Sequence, residues 1–266
     1  HIMTQVPQAY LNRMRQIIPQ SEWNNFFASV CEPLPKTIRI TRKNRTKLAE
    51  NTEWNMSQSA LCDAFFIHRK NQQTSPLGKT LPHFTGQIYV QSLSSMLPVL
   101  ALDPQPEEKI LDLCAAPGSK TTYIAEKMQN TGCVVANEPS SSRSKKLVSN
   151  LNRLGVSNTV IVQSDATILS KFFDQEFDKI LLDAPCSSEG FSRKNAQFFE
   201  TMWSESKIHQ AAKLQKKLIV IAFEMLKSEG TMVYATCTST PEENEVVVQH
   251  LRDIYPDQSD IIPINI

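Results

Sequence analysis

The sequence predicts an α/β protein with a doubly wound, mostly parallel sheet, preceded by a smaller α+β domain, and three observations predict it. Past residue 105, apolar runs of four to seven residues alternate with longer helical stretches. The runs are near-continuously apolar, as expected for strands covered on both faces by helical crossovers. The first part of the chain differs in charge: residues 1–105 carry 11 basic and 6 acidic side chains, against 17 and 21 in the remainder. With 266 residues, 41% of them hydrophobic, the chain can bury a sizeable core.

Taken in order, His1-Ile2 ahead of Met3 reads as an appended scar, and the first domain is expected over 3–105. SEWNNFFASVC (21–31) is expected to be helical. Thr37 to Thr41 alternates like a strand whose arginine points outward. The run KTIRITRKNRTK (36–47) holds six basic residues and no acid, which suits a phosphate backbone as well as a solvated hairpin. A connector rich in Pro, Gly and Thr, QQTSPLGKTLPHFTG, follows. SLSSMLPVLAL (92–102) is expected to be a helix in which Pro98 marks a kink or a first turn. DPQPEE then sets the boundary near residue 105.

The second domain, 106–266, contributes strands at KILDLCA (109–115), CVVANE (133–138), TVIVQSD (159–165), DKILLDA (178–184) and TMVYATC (231–237). Helices TTYIAEKMQ, SRSKKLVSNLNRLG and KIHQAAKLQKKLIVIAFEMLKSEG lie between them, with Gly155 and Gly230 expected to stop two of the helices. No apolar stretch approaches the roughly 20 residues that span a bilayer, so a cytoplasmic protein without membrane association is expected. The six cysteines are scattered without metal-ligand spacing, so no metal is expected.

Ligands of open parallel sheets bind beyond the carboxyl ends of the strands. There the chain places AAPGSKT (115–121), then Glu138, Asp165, Asp183 with Cys186, and finally Cys237. No GxGxxG is present among the seven glycines, which disfavours a dinucleotide. Gly118 lets backbone approach a ligand, the following helix offers free N–H groups to a carboxylate, and Glu138 lies where an acid holds a ribose diol. S-adenosylmethionine, with its ribose, adenine amino group, carboxylate and cationic sulfonium, matches this set.

Two thiols at strand ends suggest chemistry on a pyrimidine. A thiolate that adds to carbon 6 of cytosine turns carbon 5 into a nucleophile, and cysteine both attacks and leaves readily near neutral pH. The base has to be unstacked or single-stranded to enter. Taken alone, each cysteine is equally well an inert small filler.

DLCAAPGSKT, ANEPSSSR, LLDAPCSSEG and YATCTSTPEENE, in this order and spacing, resemble the RNA 5-methylcytosine methyltransferase family that includes bacterial Fmu-type and eukaryotic Nol1/Nop2/Sun proteins. TIRITRKN, YVQSLSSMLPVLAL and APGSKTTYIAEKM are most like the branch that acts on small-subunit ribosomal RNA. The resemblance implies a Rossmann-like S-adenosylmethionine-dependent methyltransferase sheet, an RNA-binding N-terminal domain, and ribosomal RNA or the small ribosomal subunit as partner of a monomer. It also implies Cys237 as nucleophile and Cys186 as the thiol assisting product release, with Asp183 and Lys120 steering the cytosine. The DNA-enzyme precedent for a PC-motif nucleophile leaves Cys186 as the rival. Cofactor contacts are implied for Cys114, Ala115, Ala116, Pro117, Gly118, Ser119, Lys120, Glu138, Asp165 and Asp183. RNA contacts are implied for Lys36, Arg39, Arg42, Lys43, Arg45 and Lys47. Two departures stand out. Ser188 occupies the place of a usual glycine, and this branch continues beyond residue 266, so the chain is expected to be a fragment, with a non-catalytic RNA-binding assembly factor or inactive fragment as the alternative.

Overall fold

The computed structural model describes residues 6–41, 54–69, 76–193, 195 and 197–264. Packing divides the chain into two compact units, neither of which follows a boundary near residue 105. One is made of His1–Leu34, Ala184–Val220 and Ala235–Ile262; the other of Pro35–Asp183, Ile221–Tyr234 and Pro263–Ile266.

The larger unit holds two sheets. Strands β1 (Thr37–Ile40), β2 (Trp54–Gln58), β3 (Ala64–Arg69) and β4 (Ile88–Val90) form an antiparallel sheet in the order β2-β3-β1-β4. Central β1 has all four residues buried, because Ile38 and Ile40 enter one core with Trp54, Ile67, Leu77 and Ile88 while Thr37 and Arg39 face helix Ser119–Lys127 and its surroundings. The expectation that Arg39 points outward is therefore corrected. Its guanidinium is 0% exposed, pairs with Glu126, donates to Thr122 Oγ1 (2.8 Å) and Gln91 Oε1 (3.3 Å), and lies 4.6 Å from the Tyr123 ring centroid. A side chain so enclosed makes no RNA contact. Burial lowers its pKa, opposed by the Glu126 charge. Removing the cation leaves Glu126, Thr122 Oγ1 and Gln91 Oε1 without it, so Arg39→Ala is expected to cost about 3 kcal/mol in denaturant unfolding.

Strands β5 (Lys109–Asp112), β6 (Cys133–Asn137), β7 (Thr159–Val162), β8 (Phe177–Asp183) and β9 (Leu226–Ala235) form the second sheet, in the order β7-β6-β5-β8-β9. The registers Ile110↔Val134, Val135↔Val160 and Leu111↔Ile180 are parallel. Successive crossovers run from β5 to β6 and β7 on one side, then return to β8 and β9 on the other, which places the switch of winding at β5. Ile110, Leu111, Val134, Ile180 and Leu181 are fully or almost fully buried, which is why these strands read as continuous apolar runs.

Helix Ser141–Leu154 ends at Gly155 in the left-handed region (φ 67°), as its sequence predicts. Pro98 sits in the first turn of helix Leu97–Leu102, the position that needs no N–H donor. Gly230 is different: helix Glu205–Glu224 ends six residues earlier and the chain is already extended from Leu226, so Gly230 lies inside β9. The apolar residues Met225 and Leu226 continue the helical pattern but are claimed by the sheet, where the Met225 carbonyl accepts from Phe177 N.

The smaller unit packs Tyr10 and Met14 of helix Gln8–Ile17 against Phe198 and Phe199, with Trp23 and Phe26 of helix Trp23–Cys31 alongside. No helix among the described residues is long and apolar enough to cross a membrane.

Candidate active site

In the larger unit the loop after β5 begins at Leu113, whose N–H donates to Leu181 O, and turns through Ala115, whose N–H donates to Asn137 O. Gly118 (φ 100°) precedes helix Ser119–Lys127. A Cβ there would meet Leu147 Cδ1 at 2.9 Å, so packing and backbone conformation both select glycine. Asn137, fully buried, ties three strand ends together: its Nδ2 donates to Leu113 O (3.2 Å) and its Oδ1 accepts from Ser164 N (3.2 Å).

Glu138, at the end of β6, is 1% exposed. Its Oε1 accepts from Ser140 N (2.9 Å). Oε2 forms an ion pair with Arg143 Nη1 at 3.3 Å but accepts no hydrogen bond, so a buried acceptor is left without one. Arg143 Nη2 instead donates to Ala116 O (2.8 Å). Asp165 caps helix Ala166–Leu169 by accepting from Thr167 N (2.8 Å). Asp183 pairs with Lys120 Nζ at 2.5 Å. Asp112, which strand-end reasoning passed over, is buried beneath the loop. Its Oδ2 accepts from Thr121 Oγ1 (2.7 Å), its Oδ1 has no partner, and burial pushes its pKa up to about 7. Burial also drives the Cys114 thiol upward, with Asp112, Asp183 and Glu138 adding to the effect, which makes Cys114 an inert neutral thiol.

The loop, the glycine that admits close approach, and the unsatisfied carboxylate oxygen of Glu138 fit a nucleoside carrying a carboxylate. The structure thus gathers Cys114 to Lys120, Glu138, Asp165 and Asp183 at the carboxyl ends of β5 to β8.

The two thiols lie in the smaller unit, brought together by the loops that follow β8 and β9. Cys186 Sγ and Cys237 Sγ are 3.1 Å apart, and neither cysteine is in a disulfide. Gly190 N donates to Cys237 O (2.8 Å), and a Cβ at Gly190 would meet that oxygen at 2.9 Å, so only glycine permits this approach. The hydrogen bond from Cys237 lowers the Cys186 pKa to about 7, against burial and with help from Ser188. The hydrogen bond between the sulfurs therefore brings a thiolate form of the pair within reach of the neutral range.

Ser188, in place of the expected glycine, adopts φ 63°, and its hydroxyl donates to Cys186 O (3.1 Å) and lies 3.9 Å from Cys186 Sγ. Ser188→Gly relieves about 1 kcal/mol of left-handed strain but frees the unfolded chain by a similar amount. The thermal midpoint is thus expected to stay within about 2 °C. Alkylation of Cys186 at pH 7, followed by peptide mass spectrometry, is expected to slow about twofold as the hydroxyl is lost.

Of the expected RNA contacts, Lys36 is exposed and Arg39 is buried; Arg42, Lys43, Arg45 and Lys47 lie outside the described residues.

The family described as 16S rRNA methyltransferase RsmB/F matches residues 99–262, and the N-terminal domain of 16S rRNA methyltransferase RsmF matches residues 6–93. Ribosomal RNA small subunit methyltransferase F of Escherichia coli O81 (strain ED1a) is 39% identical over 97% of this chain, which spans 56% of that relative's length. A methyltransferase homolog protein from Pyrococcus horikoshii superposes with a TM-score of 0.72 at 29% identity, covering 93% of this chain and 83% of its own. NSun6 from Pyrococcus horikoshii, solved with SFG, gives a TM-score of 0.83 at 24% identity, covering 94% and 88%. With its catalytic-domain match covering more than half of its residues, the chain belongs to the 16S rRNA methyltransferase RsmB/F family.

Proposed function

We propose that the protein transfers a methyl group from S-adenosylmethionine to carbon 5 of a cytosine in small-subunit ribosomal RNA, in the cytoplasm, through a covalent bond from Cys237 to carbon 6. The observation that carries this reading is the contact of two thiols 3.1 Å apart, with the Cys186 pKa lowered to about 7. An inert filler cysteine has no need of either feature. Family membership supports the substrate class.

S-adenosylmethionine, when bound, supplies an electrophilic methyl group. Glu138 would hold a ribose hydroxyl with its unsatisfied oxygen, the Ala115 to Lys120 loop would hold the amino-acid end, and Asp165 would hold the adenine amino group. Cys237 adds to carbon 6 while its proton passes to Cys186, and Lys120, held by Asp183, meets the negative charge that develops on the ring. Carbon 5, made electron-rich, would then accept the methyl group, with the neutral sulfide of the cofactor as leaving group. Cys186 gives its proton to solvent, then takes the hydrogen from carbon 5 as the Cys237 bond to carbon 6 breaks. One proton is released in total and the pair returns to its singly protonated thiolate form. Lys36, with Arg42, Lys43, Arg45 and Lys47, supplies phosphate contacts in an N-terminal RNA-binding part over 3–105.

Incubation with S-adenosylmethionine and ribosomal RNA, followed by mapping of 5-methylcytosine, is the test. New 5-methylcytosine at a discrete site is the expected result; its absence with protein shown to bind both ligands would overturn the reading.

A further inference from the structure

Two buried carboxylates adjoin the thiols, and neither has a place in the chemistry above. Glu189 follows Cys186 by three residues, and it reaches the other thiol's loop: its Oε2 accepts from Thr238 Oγ1 (3.0 Å) and Ser239 N (3.2 Å), and its Oε1 from Trp203 Nε1 (3.2 Å). Glu243 follows Cys237 by six residues and reaches back: its Oε2 accepts from Ser187 N (2.9 Å) and Gln215 Nε2 (2.8 Å). Gln215 Nε2 in turn donates to Pro185 O (2.8 Å), and Ser187 Oγ donates to Thr238 Oγ1 (3.1 Å). The exchange is reciprocal, each loop lending a carboxylate to donors of the other.

We infer that Glu189 and Glu243 are positioning residues, a crossed carboxylate clamp that fixes the Cys186 and Cys237 loops at thiol-to-thiol contact. The inference rests on the thiol chemistry proposed above and adds what sets its geometry. Glu189 is 4% and Glu243 0% exposed. A buried carboxylate requires several donors, and here Thr238, Ser239 and Ser187 supply them across the two loops, alongside Trp203, Gln215 and Thr240, so losing the crossing donors leaves a buried acceptor short of partners. Ordinary apolar packing would bring the loops together with more tolerance than a 3.1 Å contact between sulfurs allows. Burial raises the Glu189 carboxyl, against its hydrogen bonds from Ser239, Thr238 and Trp203.

The test compares the parent protein with Glu189→Gln and Glu243→Gln, which keep the shape but set an amide N–H₂ against the donors. Alkylation of Cys186 by iodoacetamide is followed from pH 5 to 9 by peptide mass spectrometry, with exposed Cys62 as the internal reference. Loss of the sulfur contact is expected to slow Cys186 alkylation at pH 7 about tenfold and to move its midpoint upward, while Cys62 reacts as before. Thr238→Val, which removes only one hydroxyl, is expected to give a smaller slowing and decides the matter where the glutamine variants fold poorly. An unchanged Cys186 profile in folded variants overturns the clamp. Because neither RNA nor cofactor enters the assay, that result leaves the methyltransferase reading standing, whereas a missing 5-methylcytosine product leaves the clamp standing.

Discussion

Cys237→Ala is expected to lower methyl transfer by about 10⁴-fold or more while S-adenosylmethionine binding, read by calorimetry, stays within about twofold. The reason lies in cytosine rather than in the protein. Carbon 5 is a poor nucleophile until a bond at carbon 6 localises electron density on it, and no side chain but a thiolate both forms and releases that bond readily near neutral pH. The proposed cofactor residues follow β5 to β8 and do not include Cys237, so binding is expected to survive the change. A parallel loss of cofactor affinity would instead mark Cys237 as a structural residue.

Glu138→Ala is expected to produce the opposite split: S-adenosylmethionine affinity falls about 10- to 100-fold, the value of a buried charged acceptor for a hydroxyl, and saturating cofactor restores much of the rate. Oε2 of Glu138 is the unsatisfied buried acceptor in the cradle that lies at a strand end and beside a cation. Unchanged affinity in calorimetry would remove Glu138 from the cofactor site and leave it as a partner of Arg143 and Ser140.

Much of this site was legible in the sequence, since it follows from strand ends. A parallel sheet gathers the residues after each strand, so finding the apolar runs of β5 to β9 also located AAPGSKT, Glu138, Asp165, Asp183 and the thiol loops. What escaped is what depends on packing across the chain. Arg39 sits in an alternating strand and reads as solvent-facing, yet its partners Gln91, Thr122 and Glu126 come from elements 50 or more residues away. Gly230 looks like a helix stop because Met225 and Leu226 extend an apolar period that the sheet claims instead. Asp112 hides within an apolar run, and only its burial beside Thr121 shows that its acidity is altered. The burial of Glu189 and Glu243 follows from donors that no local pattern predicts. Ser188 alone carried a local signal, a residue in place of glycine, and its left-handed backbone accounts for why glycine is usual there.

The lowered pKa of Cys186 also favours a rival in which Cys186 itself attacks carbon 6. Covalent trapping separates the two most directly, with Cys186→Ala, Cys237→Ala and the double variant incubated with S-adenosylmethionine and ribosomal RNA and resolved under denaturing conditions. Cys186→Ala is expected to accumulate a protein–RNA adduct, because addition proceeds but the hydrogen at carbon 5 is not removed, whereas Cys237→Ala and the double variant form none. An adduct in Cys237→Ala that is lost in Cys186→Ala would contradict the Cys237 assignment and transfer the covalent bond to Cys186.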